Sequence, residues 1–225
     1  MIKLENMKGA IFDVDGTLLD SMEIWNHVGD RYLKNRGIIP EPGLSDALAA
    51  MTVGEGAAYV KERYHLPEST ADIARGVMDI VKDFYYNEAQ LKPGAKELLE
   101  LLSEKGIGMT VATSSEREHI EKAFERLGIL HYFRQIFTCT EVGAGKTKPL
   151  VYEKAAQALE TNPAETLVFE DALYAAITAK DAGFVTVGVY DRFSEADKQT
   201  MQEKADIFLS DLRDFEKLWE IISEI

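Results

Sequence analysis

The segment AIFDVDGTLLD, from Ala10 to Asp20, constrains the fold more than any other stretch of the 225-residue chain. A short apolar run that ends in a glycine-containing turn predicts a buried strand of a parallel sheet. Because successive side chains of a strand point to opposite faces, Asp13 and Asp15 are expected to leave on the same side, where the strand ends. Open α/β sheets bind ligands at that edge, and two carboxylates there repel each other unless a cation or a shared proton is present. The alternative is that one aspartate caps the next helix and the other is solvated.

Composition narrows the classes of function. With 46% hydrophobic and 28% charged residues the sequence is typical of a soluble globular protein, and we expect a cytoplasmic protein without a membrane partner, since it shows neither a membrane span nor a signal core. A net charge of −14 without a basic run argues against nucleic acid as a partner. The single cysteine, Cys139, excludes an internal disulfide and is expected to be a small buried residue. Nothing in the sequence demands more than a monomer.

Two patterns divide the chain. Residues 21–89 predict helices without a strand, at 21–36, 45–50, 55–64 and 70–87. From Pro93-Gly94 onward, strands alternate with helices. The predicted strands are 107–113, 135–138, 166–169, 185–189 and 206–209, and the predicted helices are 95–104, 116–127, 150–159, 172–182, 195–203 and a terminal helix from 212. This alternation predicts a Rossmann-like α/β core, a parallel sheet with helices on both faces, built from residues 1–20 and 90–225 and interrupted by the helical block 21–89.

Polar groups follow three strands or loops that should meet at one edge of this sheet. Thr113-Ser114 ends one strand, Glu170-Asp171 ends another, and Lys146 lies in a glycine-rich loop before a helix. Carboxylates suit Mg²⁺, whereas a lysine and helix N-terminal amides suit a phosphate. The set therefore favours a hard cation together with a phosphate ester.

Each of these groups also has a structural interpretation. Thr113-Ser114 could begin the next helix, where Ser115 and Glu118 have the spacing of a capping box. Asp171 could be an N-cap, and Lys146 could be a solvated loop lysine.

Two other kinds of site find little support. Gly145-Lys146-Thr147 resembles the end of a P-loop, but the first glycine of that motif would have to stand where the sequence has Thr140. The four histidines are scattered and do not pair at metal-ligand spacing, so a zinc site has no support.

DVDGT, followed in order by Thr113, Lys146 and Glu170-Asp171, resembles the haloacid dehalogenase superfamily, over nearly the whole chain. The helical block 21–89 is similar to the four-helix cap domain of its phosphoglycolate phosphatase and β-phosphoglucomutase branch. The resemblance implies a hydrolase with an inserted all-α cap over a Rossmann-like core.

The resemblance also implies roles for individual residues. Asp13 is the nucleophile that forms an aspartyl phosphate, and Asp15 protonates the leaving oxygen and then activates water. Thr113 and the backbone amide of Ser114 bind the phosphoryl group, and Lys146 neutralises charge on the nucleophile and the phosphate.

For the metal, the resemblance implies Mg²⁺ held by Asp13, the main-chain carbonyl of Asp15, and Asp171, with Glu170 in support through water. True dehalogenases of the superfamily lack the second aspartate, so phosphoryl transfer is favoured over cleavage of a carbon–halogen bond. The expected function is a Mg²⁺-dependent phosphatase of a small phosphorylated metabolite.

Departures from the family pattern bear on the alternatives. The third motif reads GKTKPL and the fourth EDALYA, with Thr147, Leu150, Ala172 and Ala175 in place of the usual residues. The histidine that gates the mutase cycle aligns with Trp25, and the cap arginine that binds a distal phosphate aligns with Gly54. A phosphomutase is therefore the weaker alternative, and a non-catalytic metabolite-binding module is weaker still because both aspartates are present. Met22, Trp25 and Gly54 are the expected substrate-facing residues of the cap.

Overall fold

A parallel sheet forms the centre of the part of the chain that this computed structural model describes, residues 4–49, 51–216 and 219. Its six strands are β1 (Gly9–Phe12), β2 (Gly108–Thr113), β3 (Phe133–Thr138), β4 (Thr166–Glu170), β5 (Val185–Val189) and β6 (Ile207–Leu209). They lie in the order β3-β2-β1-β4-β5-β6, and each neighbouring pair is parallel. The predicted Rossmann-like α/β core is confirmed.

Helices connect these strands and form the segment between β1 and β2. They are α1 (Met22–Lys34), α2 (Leu44–Leu48), α3 (Val53–Tyr64), α4 (Thr70–Asp83), α5 (Ala95–Glu104), α6 (Arg117–Leu127), α7 (Cys139–Val142), α8 (Leu150–Leu159), α9 (Leu173–Asp181) and α10 (Lys198–Lys204). A π-helical turn, Phe84–Glu88, continues α4, and short 3₁₀ segments lie at Leu4–Asn6, Leu130–Tyr132, Pro163–Glu165 and Arg192–Asp197. Within the described residues, no helix has both the length and the apolar character that crossing a membrane requires.

Apolar side chains of β1 are covered by helices on both faces of the sheet. Ile11 is fully buried in a cluster that includes Tyr152 of α8. Its neighbour Phe12 points to the opposite face, where its ring meets Phe133 edge-on at 6.1 Å. Phe133 in turn stacks on Phe124 of α6 at 5.2 Å. Because both faces of the sheet are buried, the sequence of this strand is a continuous apolar run rather than an alternation of apolar and polar residues.

The strand order reverses between β1 and β4. The chain runs outward from β1 through β2 to β3, returns to β4 on the other side of β1, and continues to β6. Such a switch point leaves a crevice at the carboxyl ends of the two central strands. The register pairs Phe12 with Phe169, and the N–H of Asp13 donates to the Phe169 carbonyl at 3.0 Å. The residues that follow β1 and β4 therefore lie next to each other.

The chain divides into two compact units. One contains the described residues up to Asp20 and from Gln90 onward, and the other is Ser21–Ala89. The described residues of the second unit, called here the helical unit, form helices and no strand, around a core that includes Tyr32, Leu33, Val60 and Ile73. Its α3 begins at a capping box between Thr52 and Glu55.

Some boundaries differ from the sequence-based expectation. The helix predicted at 195–203 is a 3₁₀ segment followed by α10, because the side chain of Asp191 accepts from the Phe193 N–H and starts the turn earlier. The helix predicted at 45–50 ends at Leu48, and its expected last residue, Ala50, lies outside the described residues. Leu212 lies in a turn before helical residues 214–216, and the rest of the predicted terminal helix, Trp219 aside, lies outside the described part.

The expectation for Cys139 was wrong. This residue starts the short helix α7 at the end of β3, and it is partly rather than fully buried. Its sulfur lies 3.6 Å from the Ser114 hydroxyl.

Candidate active site

Three carboxylates meet at the switch point. Asp13 follows β1, Glu170 ends β4 and Asp171 follows it, and all three side chains are buried. One oxygen atom of each lies within 4.8 Å of one oxygen of the other two. Asp15, which sequence reasoning paired with Asp13, is not a member of this cluster. The charge of Asp13, at the end of β1, acts on both Glu170 and Asp171, at the end of β4.

The Lys146 amine lies between two of these carboxylates. It forms an ion pair with Asp13, and it lies 2.6 Å from Oε1 of Glu170. The lysine is only 5% exposed, so the interpretation as a solvated loop residue is excluded. The Tyr152 hydroxyl of α8 also donates to Oε1 of Glu170, at 2.7 Å. These contacts fix the glycine-rich loop to the ends of β1 and β4.

The acidic groups of the cluster have pKa values shifted by their surroundings. Burial, together with the neighbouring charge of Asp13, raises the pKa of Asp171 to about 7. Burial also raises the pKa of Glu170 to about 8, although Lys146 acts in the opposite direction. For Lys146, burial alone would lower the pKa, but the carboxylates of Asp13 and Glu170 raise it above its ordinary value. The raised pKa values mean that the carboxylate forms of Glu170 and Asp171 are insufficiently stabilised by the described charges around them, so the site is suited to a further cation.

Oε2 of Glu170 is buried without a hydrogen-bond partner. Buried carboxylate oxygens are normally satisfied, so an unpaired oxygen inside an acidic cluster is where a metal or its bound water is expected. The donor set, three clustered carboxylates, suits a hard cation such as Mg²⁺. The residues present therefore fit a metal site.

Two side-chain hydroxyl groups contact the carboxylates of the cluster. Thr17 donates to Oδ2 of Asp13 at 3.1 Å and lies 3.4 Å from Oδ1 of Asp171. Ser194, in the segment after β5, lies 3.4 Å from Oδ2 of Asp171. Asp171 is not the N-cap of α9, since Ala172 takes that position without a side-chain hydrogen bond. Sequence reasoning used Thr17 only as part of DVDGT, and it missed Ser194, which carries no motif.

Asp15 has a different environment from Asp13. It is partly exposed, and its Oδ2 accepts a hydrogen bond of 2.6 Å from the Ser115 hydroxyl. Thr113, at the end of β2, is fully buried and accepts the Ser115 N–H at 3.0 Å. Ser114 is exposed beside it. The capping box suggested for Ser115 and Glu118 does not start the helix, because α6 begins after Glu116 and Ser115 is engaged with Asp15.

A second lysine, Lys92, holds the turn that follows Asp15. Its amine donates to the carbonyl of Gly16 and to that of Tyr190, each at 2.6 Å, and pairs with Asp191 at 3.0 Å. Gly16 itself adopts a left-handed conformation, φ 82°, that disfavours a side chain. Lys92 could not be identified from the sequence, since a lone lysine before Pro-Gly has no signature.

The expected cap residues separate into two groups within the helical unit. Met22 and Trp25 line one cavity together with the segment 51–53. Gly54 does not line it, and a Cβ added there meets nothing within 4 Å. Trp25 is fixed by a hydrogen bond of 3.1 Å from its indole nitrogen to the Tyr85 hydroxyl.

The order and geometry of these motifs agree with one family model, that of the haloacid dehalogenase-like hydrolases, which matches residues 10–189. The chain belongs to this family. A curated relative, validoxylamine A 7'-phosphate phosphatase of Streptomyces hygroscopicus subsp. limoneus, is 30% identical over 208 residues, which cover 91% of this chain and 94% of the relative.

Two further proteins similar to this chain are a phosphomutase and a hydrolase of known structure. The β-phosphoglucomutase of Bacillus subtilis (strain 168) is 28% identical over 196 residues, with 81% of this chain and 83% of the mutase covered. A solved haloacid dehalogenase superfamily hydrolase of subfamily IA, variant 1, from Geobacter sulfurreducens has the same fold, with a TM-score of 0.75 at 19% identity over 95% of this chain and 97% of the other. This chain is accordingly a haloacid dehalogenase-like hydrolase.

Proposed function

We propose that this hydrolase is a Mg²⁺-dependent phosphatase that removes the phosphoryl group of a small phosphorylated metabolite through an aspartyl phosphate on Asp13. The observation that carries the proposal is the buried cluster of Asp13, Glu170 and Asp171 with the Lys146 amine between two of its members. Phosphatases among the relatives, including one 30% identical over 91% of the chain, support the same chemistry.

The first step is attack by a carboxylate oxygen of Asp13 on the phosphorus atom. The bond between phosphorus and the ester oxygen breaks, and Asp15 gives its proton to the departing oxygen, which leaves as an alcohol. Asp15 is suited to this role because it lies outside the buried cluster, is partly exposed, and is oriented by the Ser115 hydroxyl.

In the second step Asp15, now a carboxylate, takes a proton from a water molecule while the water oxygen attacks the phosphorus. The bond between phosphorus and Asp13 breaks, inorganic phosphate is released, and both aspartates return to their starting states. The same residue thus serves as acid and then as base.

The remaining residues stabilise the phosphoryl group. Lys146 supplies a positive charge beside the attacking oxygen of Asp13, and Thr113, which accepts from Ser115 N–H, keeps its own O–H proton for a phosphoryl oxygen. The backbone N–H of Ser114 is the second donor. Asp13, Asp171 and the main-chain carbonyl of Asp15 are the proposed Mg²⁺ ligands, with Glu170 in support. When bound, the metal offsets the negative charge of the carboxylates and of the phosphoryl oxygens.

A phosphomutase is the second candidate because a β-phosphoglucomutase is among the relatives. The residue aligned with the mutase histidine is Trp25, which cannot exchange a proton. Incubation with a sugar 1-phosphate and a sugar bisphosphate primer separates the two activities. We expect free phosphate, whereas an isomerised sugar phosphate would establish the mutase.

The test of the phosphatase is the Asp13→Asn variant, assayed with p-nitrophenyl phosphate and Mg²⁺. Loss of the nucleophile should lower kcat by at least about 10³-fold, the scale of removing a group that acts in the transition state. Asp20→Asn is the matched control, since Asp20 is an exposed aspartate of the same segment. Mg²⁺-dependent turnover retained in Asp13→Asn would refute the assignment, and so would a phosphoryl group found by mass spectrometry on a peptide without Asp13.

A further inference from the structure

Tyr152 is a fully buried tyrosine on α8. Its ring belongs to the apolar cluster that includes Ile11 and Val168, and it meets the ring of Phe184 edge-on at 6.2 Å. A phenylalanine would make the same apolar contacts without a polar atom, whereas the hydroxyl of a buried tyrosine must find a hydrogen-bond partner. Packing therefore accounts for the ring of Tyr152 and leaves its hydroxyl to be explained.

The Tyr152 hydroxyl meets Glu170 because α8 covers one face of β4. Side chains two residues apart on a strand share a face, so Glu170 lies on the same face of β4 as Val168, which packs with Tyr152. There the hydroxyl donates to Oε1 of Glu170 at 2.7 Å. Burial raises the pKa of the Tyr152 hydroxyl, and the charge of Glu170 raises it further, so the hydroxyl keeps its proton and remains a donor.

Oε1 of Glu170 accepts two hydrogen bonds from one short stretch of the chain. Lys146 donates to this oxygen at 2.6 Å from the glycine-rich loop, and Tyr152 donates to it from the first turn of α8. A carboxylate group is planar, so two donors that hold one of its oxygen atoms also restrict the direction of the other. The segment 146–152 therefore fixes the orientation of the whole carboxylate group.

The other oxygen of Glu170, Oε2, is buried and has no hydrogen-bond partner among the described residues. Its lone pairs are unused, and a buried acceptor in this state is costly unless it gains a ligand. Glu170 also belongs to the acidic cluster with Asp13 and Asp171. The arrangement thus keeps one oxygen of Glu170 available to a cation or to a water molecule that the cation holds.

We propose that Tyr152 is a positioning residue of the metal site, whose hydroxyl holds Oε1 of Glu170 and so keeps Oε2 free to support Mg²⁺. The identity of the metal rests on the phosphatase function proposed above. Groups that orient a metal-supporting side chain without touching the metal contribute about 10–100-fold to metal affinity. Lys146 holds the same oxygen but also pairs with Asp13, so Tyr152 gives the cleaner test of the orientation of Glu170.

Tyr152→Phe tests the proposal in the full-length protein, because the substitution removes the donor and keeps the ring. Mg²⁺ affinity is measured without substrate, from the rise in melting temperature as Mg²⁺ is added to protein freed of metal by a chelator. The variant should bind Mg²⁺ at least about tenfold more weakly than the wild type, and kcat at saturating Mg²⁺ should stay close to the wild-type value. Equal Mg²⁺ affinities would overturn the proposal, and so would a lower kcat at saturating Mg²⁺ with no loss of affinity.

Tyr132→Phe is the matched control. The hydroxyl of Tyr132 lies 3.5 Å from Oε1 of a different glutamate, Glu100 on α5, and both residues belong to the same compact unit as Tyr152. Neither is a member of the acidic cluster, so this variant should keep the Mg²⁺ affinity of the wild type. An equal loss of affinity in both variants would refute the proposal, because the orientation of Glu170 would then not be its cause.

A double-mutant cycle with Glu170→Gln shows whether Tyr152 acts through Glu170. Since Asp13 and Asp171 remain, Glu170→Gln should weaken Mg²⁺ binding without abolishing it. Tyr152→Phe should then cause no further loss of affinity, because the carboxylate that it positions is gone. If Tyr152→Phe lowered Mg²⁺ affinity by the same factor with and without Glu170→Gln, the hydroxyl would not act through Glu170.

The metal titration also separates this proposal from the phosphatase. Hydrolysis of p-nitrophenyl phosphate together with unchanged Mg²⁺ affinity in Tyr152→Phe would leave the phosphatase standing and refute the role of Tyr152. Weaker Mg²⁺ binding in Tyr152→Phe, in a protein that hydrolyses no phosphate ester, would refute the phosphatase and support the role of Tyr152. A wild type that does not bind Mg²⁺ would refute both.

Discussion

Replacement of Lys146 by methionine removes the amine that lies between Asp13 and Glu170 and leaves the side-chain volume nearly unchanged. The amine lies 2.6 Å from Glu170 and also pairs with Asp13, and both partners are buried. At that separation one ion pair is worth about 6 kcal/mol at an effective dielectric constant of about 20. Part of this is offset by the desolvation of the lysine itself. Removal of one partner of a buried pair costs about 3–5 kcal/mol in all, because the other charges stay buried without compensation.

For a unit of this size, that loss should lower the melting temperature of the metal-free protein by about 6–20 °C. The measurement is thermal unfolding of the wild type and Lys146→Met in the presence of a chelator, followed by titration with Mg²⁺. Since a divalent cation replaces part of the missing charge, Mg²⁺ should raise the melting temperature of the variant more than that of the wild type. Turnover of p-nitrophenyl phosphate should fall by at least about 10²-fold.

Lys148→Met is the matched control, because Lys148 is an exposed lysine of the same loop. It should change stability by no more than about 0.5 kcal/mol. If Lys146→Met unfolded at the same temperature as Lys148→Met, the electrostatic account of the cluster would be wrong. Equal turnover in the two variants would show that Lys146 does not act on the nucleophile or the phosphate.

Two further predictions concern hydrogen bonds of the core unit. Ser115→Ala removes the hydroxyl that donates to Asp15 at 2.6 Å. Steady-state kinetics should show kcat lowered by about tenfold, and thermal unfolding should show little change in melting temperature. An unchanged kcat would mean that Ser115 does not position the acid. The carboxylate of Asp206 accepts hydrogen bonds from Lys180 at 2.7 Å and from the N–H and hydroxyl of Thr186 at 2.9 Å. Burial raises the pKa of Asp206, but these donors outweigh it and hold the pKa below its usual value. The unfolded chain then binds the proton more tightly, so the stabilisation by Asp206 is complete above about pH 5 and disappears as the pH falls through the folded-state pKa. In urea unfolding, Asp206→Asn should lower the free energy of unfolding by about 1–2 kcal/mol at pH 7 and by less at pH 3. A loss of stability that is independent of pH would contradict this assignment.

The sequence predicted much of the core because its signals are local. The apolar run before Asp13 and the alternation after Pro93 locate the strands, and the helices 95–104 and 150–159 begin and end where they were expected. The sequence predicted the type and bounds of an element less well where two conformations compete. The segment 192–197 became a 3₁₀ helix through a side-chain hydrogen bond of Asp191, and residues 84–88 continue α4 as a π-helical turn. The first of these choices depends on one side-chain contact, which a periodic pattern does not contain.

For the candidate site, the motifs predicted which residues lie at the edge of the sheet but not how they pair. The sequence could not show that Lys146 lies between Asp13 and Glu170, since those residues are 133 and 24 positions away from it. Nor could it show that Ser115 serves Asp15 instead of capping α6, because a serine at that spacing is suited to both roles. Lys92 and Ser194 reach the site from segments without any motif.

By itself, the sequence determined the order of strands and helices, the insertion of a helical block and the chemical character of the groups at the strand ends, since propensity, periodicity and charge are properties of short stretches. Only the tertiary structure decided which carboxylates share a site, that Asp15 lies outside this group, and that Met22 and Trp25 line one cavity within the helical unit. The physical reason is that burial, ion pairing and void volume depend on contacts between residues far apart in the chain, and these exist only once the sheet and the helices have packed.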